Sequence, residues 1–103
     1  MRTAPTSPCS TVRLWAPSPN PFAASLAIAW ELPRAMTVGL DVIDLQGRAV
    51  RTLASRSPTA AGRHEVSWDG RDDAGLALAA GVYFVRLTTP LGAHTRRVAH
   101  LGE

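Results

Sequence analysis

Apolar and polar residues alternate along much of the chain, and this alternation predicts β-strands. In residues 26–32 and 36–42 every second side chain is large and apolar, so an extended chain places these side chains on one face. Residues 63–68 and 81–89 continue the pattern, and 81–89 is rich in the β-branched and aromatic residues that favour strands. Pro33 ends the first run, because proline cannot continue a ladder of hydrogen bonds. Weaker runs complete a set of about seven predicted strands and lie at 12–16, 48–53 and 93–101.

Turn-forming residues separate these strands. Residues 44–47 supply an Asp and a Gly for a hairpin turn, in which Gly47 can take a positive φ without a clash at a β-carbon. The Ser-, Pro-, Ala- and Gly-rich residues 55–62 predict a loop, and the Asp and Gly residues of 69–75 predict another turn. Residues 76–80 are too few to hold a helix. Short strands with turns about every ten residues predict an all-β fold, an antiparallel immunoglobulin-like β-sandwich.

Length and composition predict one domain with a real core. The 103 residues, of which 46% are hydrophobic, suffice for a single compact domain and are too few for two. Residues 1–10 are rich in Pro, Ser and Thr and show no periodicity, which predicts a linker-like head before a sandwich domain at 11–103. The strand pattern predicts that the buried residues include Trp30, Val66, Trp68, Tyr83, Val85 and Leu87.

Charge and cysteine content argue against several classes of function. All 11 basic residues are arginines, and the net charge is only +3. They are scattered except for the pair Arg96–Arg97, whereas a nucleic-acid-binding module usually carries a basic stripe. The chain has no apolar stretch of about 18 residues, so no membrane insertion is expected. Cys9 is the single cysteine, which excludes an intrachain disulfide, and residues 1–10 lack the apolar run of a signal peptide.

Candidate chemistry is sparse, and no catalytic motif is present. The sequence has no nucleophile elbow, phosphate-binding loop or paired zinc-binding histidines. Asp69, Asp72 and Asp73 form an acidic cluster that can be interpreted as calcium ligands or as a turn stabilised by Asp side chains. Arg71 lies inside the cluster and would repel a cation, which favours the turn. We therefore expect no enzyme activity, no metal site and no cofactor.

Tryptophan and histidine residues allow a second functional interpretation. Three tryptophans can form a platform that stacks on sugar rings, or they can belong to the core. Trp30 and Trp68 share a strand face with aliphatic neighbours, which favours the core, whereas Trp15 falls on the face opposite Leu14. His64 lies on the same face as Trp68, which favours a packed strand histidine over a metal ligand.

Five motifs in order resemble a known bacterial module. They occupy residues 19–22, 42–48, 61–70, 81–87 and 95–97. Together they resemble the immunoglobulin-like domain of flagellar hook-capping proteins, and the chain is also similar to the C-terminal sorting domains of type IX secretion cargo. The resemblance covers about four fifths of the chain.

The resemblance implies a sandwich without an active site. In the sorting family the module ends a secreted protein and is recognised by outer-membrane machinery, which directs the cargo to the cell surface or the medium. We therefore expect a non-catalytic C-terminal sorting module of an exported bacterial protein. Its expected location is secreted or cell-surface after periplasmic transit. Its expected partners are secretion machinery or surface proteins and the upstream domains of the parent protein.

The best family matches form the last predicted hairpin, which we expect to carry recognition. The polar positions Arg86, Thr88, Arg96 and His100 alternate with apolar ones and are predicted to line one face. Recognition is expected to involve Gly81, Tyr83, Arg86, Leu87, Arg96 and Arg97.

Two departures from the sorting family keep an alternative open. Residues 101–103 lack the terminal basic residue of that family, and Phe22 is followed by two alanines. The alternative is a structural or glycan- or protein-binding accessory module, which can self-assemble through an edge strand.

Overall fold

The computed structural model describes residues 12–101, and the predicted head with Cys9 lies outside them. The described residues form seven strands and contain no helix. No helix in this part of the chain is therefore long and apolar enough to cross a membrane. The strands are β1 (Arg13–Leu14), β2 (Leu26–Leu32), β3 (Met36–Ile43), β4 (Ala49–Thr59), β5 (Gly62–Trp68), β6 (Gly81–Thr89) and β7 (Gly92–His100).

The strands form two antiparallel sheets that pack face to face. The three-stranded sheet has the order β1-β2-β5, and the four-stranded sheet has the order β4-β3-β6-β7. β2 pairs with β5, and β3 pairs with β6, so neighbouring strands are not always sequential. The chain therefore crosses between the two sheets, as is typical of immunoglobulin-like folds. The prediction of an all-β immunoglobulin-like sandwich is confirmed.

The core lies between the sheets and follows the predicted alternation. Along β2 the residues with even numbers are buried and those between them are half-buried. Of the residues predicted to be buried, Val66 is the exception, because β5 lies at the edge of its sheet and leaves this side chain half-covered. The core cluster comprises Val12, Leu14, Phe22, Leu26, Ile28, Trp30, Leu32, Val38, Leu40, Val42, Trp68, Tyr83, Val85, Leu87 and Val98.

β4 differs from the sequence prediction. The loop predicted at 55–62 is wrong, because the strand continues to Thr59. Its register with β3 shifts three times, and the first shift brackets Arg56, which has a φ of 47°. An edge strand can absorb such bulges because only one of its sides is hydrogen-bonded. β1 is also shorter than predicted and ends at Leu14, before three closely spaced prolines.

Candidate interaction surface on the β6–β7 hairpin

The β6–β7 hairpin divides the predicted recognition residues between two faces. Tyr83 and Leu87 lie on the inner face and are buried, with exposed fractions of 7% and 0%. The Tyr83 hydroxyl donates to the carbonyl of Ala79 at 2.7 Å. Burial, with the charge of Asp44 as a smaller cause, raises the pKa of Tyr83 above its ordinary value of 10.0. These two side chains hold the hairpin on the core and present no surface to a partner.

Arg96 also lies on the inner face. It stands directly opposite the buried Val85, and its Nε donates to the carbonyl of Leu14 at 2.9 Å. Its guanidinium therefore joins β7 to β1 across the open side of the sandwich. An inward-pointing charge on an edge strand also discourages pairing with another chain.

The end of the hairpin is held by a cluster of rings. His100 is buried and stacks on Phe22, with ring centroids 4.7 Å apart and an interplanar angle of 10°. Trp68 and Tyr83 lie 6.1 and 6.2 Å from the same imidazole. Gly81, which faces His100 across the strands, begins β6 with a φ of 155°. Gly81 is exposed at the start of β6 and has no side chain to offer a partner.

The expectation that Arg86, Thr88, Arg96 and His100 line one face is wrong. Arg86 and Thr88 lie on the outer face, whereas Arg96 and His100 lie on the inner face with Val98, where His100 is buried and Arg96 is still exposed. The sequence pattern predicts which residues alternate in each strand. Which of the alternating sets shares a face with the neighbouring strand depends on the register between β6 and β7.

The outer face of the hairpin carries two exposed arginines. Its surface includes three pairs of cross-strand neighbours, which are Phe84 opposite Arg97, Arg86 opposite Thr95 and Thr88 opposite Ala93. On the neighbouring strand β3 of the same sheet, Asp41 lies directly opposite Arg86. The sequence pattern did not single out the half-buried Phe84, which the register places between Arg97 of β7 and Ile43 of β3. We call the residues Phe84, Arg86, Thr88, Thr95 and Arg97 the hairpin face.

The outer edge of β7 is covered along its second half. The Asn20 side chain accepts a hydrogen bond from the N–H of Ala99 at 2.9 Å and donates to the carbonyl of Arg97 at 3.2 Å. Phe22 continues the pairing, since its N–H donates to Ala99 and its carbonyl accepts from Leu101. Residues 19–22 carry part of the family resemblance, and their sequence does not predict this role at the edge of β7.

A groove opens on the outer face of the four-stranded sheet. Its volume is about 510 Å³, and Gly39 contributes to its lining in the centre of β3. A glycine inside a strand leaves room for close approach of another group. Hydroxyl side chains of Thr37, Thr52, Ser55 and Thr88 line the groove together with further residues of β3, β4 and β6. This composition suits a polar ligand.

The acidic turn is stabilised by its own carboxylates, as the sequence favoured. Asp72 accepts hydrogen bonds from the N–H groups of Ala74 and Leu76, each at 2.9 Å. Asp73 accepts from the N–H of Thr52 on the edge of β4 at 3.0 Å. Arg51 lies within 3.6 Å of Asp69 and 3.9 Å of Asp73. Among residues 12–101 no group of three His, Cys, Asp or Glu side chains is arranged to hold a metal ion.

The tryptophans and His64 lie where the sequence placed them. Trp30 and Trp68 are buried in the core. His64 stacks on Trp30 at 5.7 Å, and its Nε2 lies 2.7 Å from the carbonyl oxygen of Ala60, so it is a packed strand histidine. Trp15 points to the opposite face and is half-buried, and the Arg63 guanidinium lies 5.0 Å from its ring. One ring face of Trp15 is therefore already occupied.

Residues 20–92 match the FlgD Ig-like domain. This match covers most of the described sandwich and includes all strands from β2 to β6. The chain belongs to the FlgD Ig-like domain family. Members of this family are structural and non-enzymatic domains. No curated protein sequence matches the chain.

Solved structures with the same fold come from flagellar and secretion proteins. FlgD from Xanthomonas campestris, whose structure is described as giving insight into the hook capping essential for flagellar assembly, is 25% identical, with a TM-score of 0.54 over 88% of this chain and 67% of that one. Latent dimeric PorU from Porphyromonas gingivalis is 18% identical, with a TM-score of 0.71, and the match covers 98% of this chain and 10% of PorU.

PorZ from the same bacterium is described as an essential surface component of the type IX secretion system. It is 24% identical, with a TM-score of 0.58, and the match covers 87% of this chain and 11% of PorZ. The chain thus spans about a tenth of the length of PorU and PorZ. These likenesses relate its fold to proteins of type IX secretion as well as to FlgD.

Proposed function

We propose that this chain is a non-catalytic sorting and interaction module of an exported bacterial protein, recognised in its folded form by type IX-like secretion machinery. In this proposal the module forms the C-terminal part of its parent protein and directs that protein to the cell surface or the medium after periplasmic transit. Its partners are the secretion machinery or surface proteins and the upstream domains of the parent. The fold shared with PorZ and PorU supports the proposal.

The observation that carries the proposal is the construction of the β6–β7 hairpin. Its inner residues Tyr83 and Leu87 are buried, and Asn20 and Phe22 cover part of its outer edge. The hairpin face remains exposed on a rigid support, with Arg86 and Arg97 as its charged groups. A partner can therefore bind this face without breaking the core.

The export assay uses the full chain fused behind a periplasmic reporter in a bacterium with a working type IX system. We expect the reporter at the cell surface and in the medium, and we expect it to stay in the periplasm of a strain that lacks the system. A proven sorting domain on the same reporter is the positive control. If that domain exports the reporter and this chain does not, the sorting function is wrong and the structural module stands.

The groove beside Gly39 favours a second candidate function, an accessory module that binds a glycan. Its hydroxyl-rich lining matches the hydrogen-bonding groups of sugars. In Gly39→Leu the new side chain extends from the wall of the groove and fills it. The backbone of Gly39 has a φ that other residues adopt, so the substitution causes no backbone strain. Titration of soluble polysaccharides should then show binding to the unchanged chain and none to the variant, and no binding to either would exclude this candidate.

A further inference from the structure

β5 exposes a free row of backbone hydrogen-bonding groups. Ala27 and Ala29 of β2 use their backbone groups to bond Ser18 and Trp15 on the β1 side. The backbone N–H and C=O groups of successive residues in a strand point alternately to its two sides. Since Ala27 and Ala29 point toward β1, the residues of β2 with even numbers form their backbone hydrogen bonds with β5. Their partners on β5 are Trp68, Val66, His64 and Gly62.

The intervening residues of β5 therefore direct their N–H and C=O groups away from β2. These residues are Arg63, Glu65 and Ser67, and all three are exposed. Among the described residues no hydrogen bond to their backbone groups occurs. β5 contains no proline, and its register with β2 has no shift over seven residues. Such a regular, unpaired edge is a template for another strand.

The other edges of the sandwich are covered or interrupted over part of their length. Asn20 and Phe22 cover part of the β7 edge, and Arg96 donates to the carbonyl of Leu14 on β1. Asp73 bonds β4 at both Val50 and Thr52, and three register shifts interrupt the pairing of that strand with β3. β5 is thus the edge strand of the described chain whose outer side carries no covering hydrogen bond along its whole length.

The charges on this edge complement those of a second copy. Two antiparallel β5 strands can pair about a twofold axis that passes through His64, with the backbone groups of residues 63 and 65 facing each other. In this register Arg63 of each copy lies opposite Glu65 of the other, so two cross-strand pairs of opposite charge form. Shifting the axis to Glu65 would place two carboxylates opposite each other, which is unfavourable.

The same register also improves packing on the inner face. It places the half-buried Val66 of one copy opposite Gly62 of the other, so the added strand lies beside Val66 at a residue that has no side chain. We propose that the β5 edge is an interface between two copies of this chain, which joins their three-stranded sheets into one continuous sheet. The hairpin face lies on the other sheet, so this interface does not depend on the proposed export function.

Sedimentation equilibrium of the full chain, with reductant to keep Cys9 from linking two copies, tests this interface. We expect a reversible dimer. Glu65→Pro removes an outward N–H while leaving the β2 ladder intact, and it should abolish the dimer. Circular dichroism and thermal unfolding must show that the variant is folded. Arg13→Glu, a charge reversal on the same sheet away from β5, is the matched control and should leave the dimer unchanged.

Charge reversal tests the register itself. Arg63→Glu and Glu65→Arg each place like charges opposite each other, so each should weaken the dimer by about tenfold. The double reversal restores opposite charges and should return the affinity to near that of the unchanged chain. Rescue separates the interface from the contact of Arg63 with Trp15, which both Arg63→Glu and the double variant lose.

Three results would overturn the proposal. The first is a monomer at concentrations up to about 1 mM, a range that covers weak dimers. The second is a dimer that survives Glu65→Pro in a folded chain. The third is failure of the double reversal to restore a dimer that the single reversals weaken, which would exclude the twofold axis at His64.

Discussion

The backbone of Gly70 lies directly against the ring of His100. A β-carbon at Gly70 would stand 2.8 Å from Nε2 and 2.9 Å from Cε1 of the imidazole. Gly70 is buried in the turn after β5, and His100 is buried at the end of β7. This contact ties the acidic turn to the ring cluster formed by His100 with Phe22 and Trp68.

Gly70→Ala should therefore destabilise the chain more than Gly75→Ala. Both glycines have positive φ values, 77° and 86°, so alanine costs about 1–2 kcal/mol at either position. A β-carbon at Gly75 meets nothing within 4 Å, whereas at Gly70 the His100 ring must move, which adds about 1–3 kcal/mol. Urea unfolding of the two variants measures the difference, and equal losses would show that the close contact has no energetic effect.

The two buried tryptophans should respond differently to replacement by phenylalanine. Trp68 donates through Nε1 to the carbonyl of Arg71 at 2.9 Å, whereas Nε1 of Trp30 is buried without an acceptor in the described structure. Trp68→Phe loses side-chain volume and a hydrogen bond. Trp30→Phe loses the same volume but no hydrogen bond, and it removes an unsatisfied buried donor. We expect the loss of unfolding free energy to be larger for Trp68→Phe by at least about 1 kcal/mol. Chemical denaturation of both variants decides this, and a larger loss for Trp30→Phe would contradict the assignment of the unsatisfied group.

The turn between β3 and β4 should make stability depend on pH at the acid end. The backbone N–H of Arg48 donates to Asp44 at 2.9 Å and, as the largest cause, lowers the pKa of Asp44 below its ordinary value of 3.8. A lowered pKa means that the folded chain favours the ionised carboxylate, so this stabilisation is complete above the unfolded-state pKa and is lost as the pH falls through the folded-state pKa.

Comparison with Asp44→Asn isolates that contribution. The variant should be less stable at neutral pH, and the difference should stay constant down to about pH 5 and then shrink as the pH falls below 3.8. Unfolding curves at a series of pH values check this. A difference that is independent of pH would show that ionised Asp44 does not stabilise the turn.

The sequence correctly predicted the elements that are determined by residues close together in the chain. β2 begins and ends at the predicted residues, because Leu26 starts a regular alternation and Pro33 stops it. The turn at 44–47 was also predictable, since Asp44 accepts hydrogen bonds within the turn and Gly47 has a φ of 85°. In both cases all the determining residues are neighbours in sequence.

The sequence did not predict features that depend on pairing between distant strands. β4 continues past Arg56 because β3 supplies a partner and bulges absorb the extra residues. Arg96 shares its alternation with Val98, but only the register with β6 shows that this is the inner face. The same register separates Arg96 from Arg97 and leaves only Arg97 on the hairpin face.

The most direct test of the proposed sorting function is export of the reporter fusion when the charges of the hairpin face are reversed. The test variant is Arg86→Glu combined with Arg97→Glu. The matched control is Arg13→Glu combined with Arg34→Glu, which changes the net charge equally at exposed positions outside the hairpin. Thermal unfolding of the purified chains must first show that both double variants are folded.

The quantity to measure is the fraction of reporter at the cell surface and in the medium. If the machinery recognises the hairpin face, the Arg86→Glu/Arg97→Glu fusion stays in the periplasm, and the control fusion is exported like the unchanged chain. Equal export of both double variants would contradict recognition through the hairpin face.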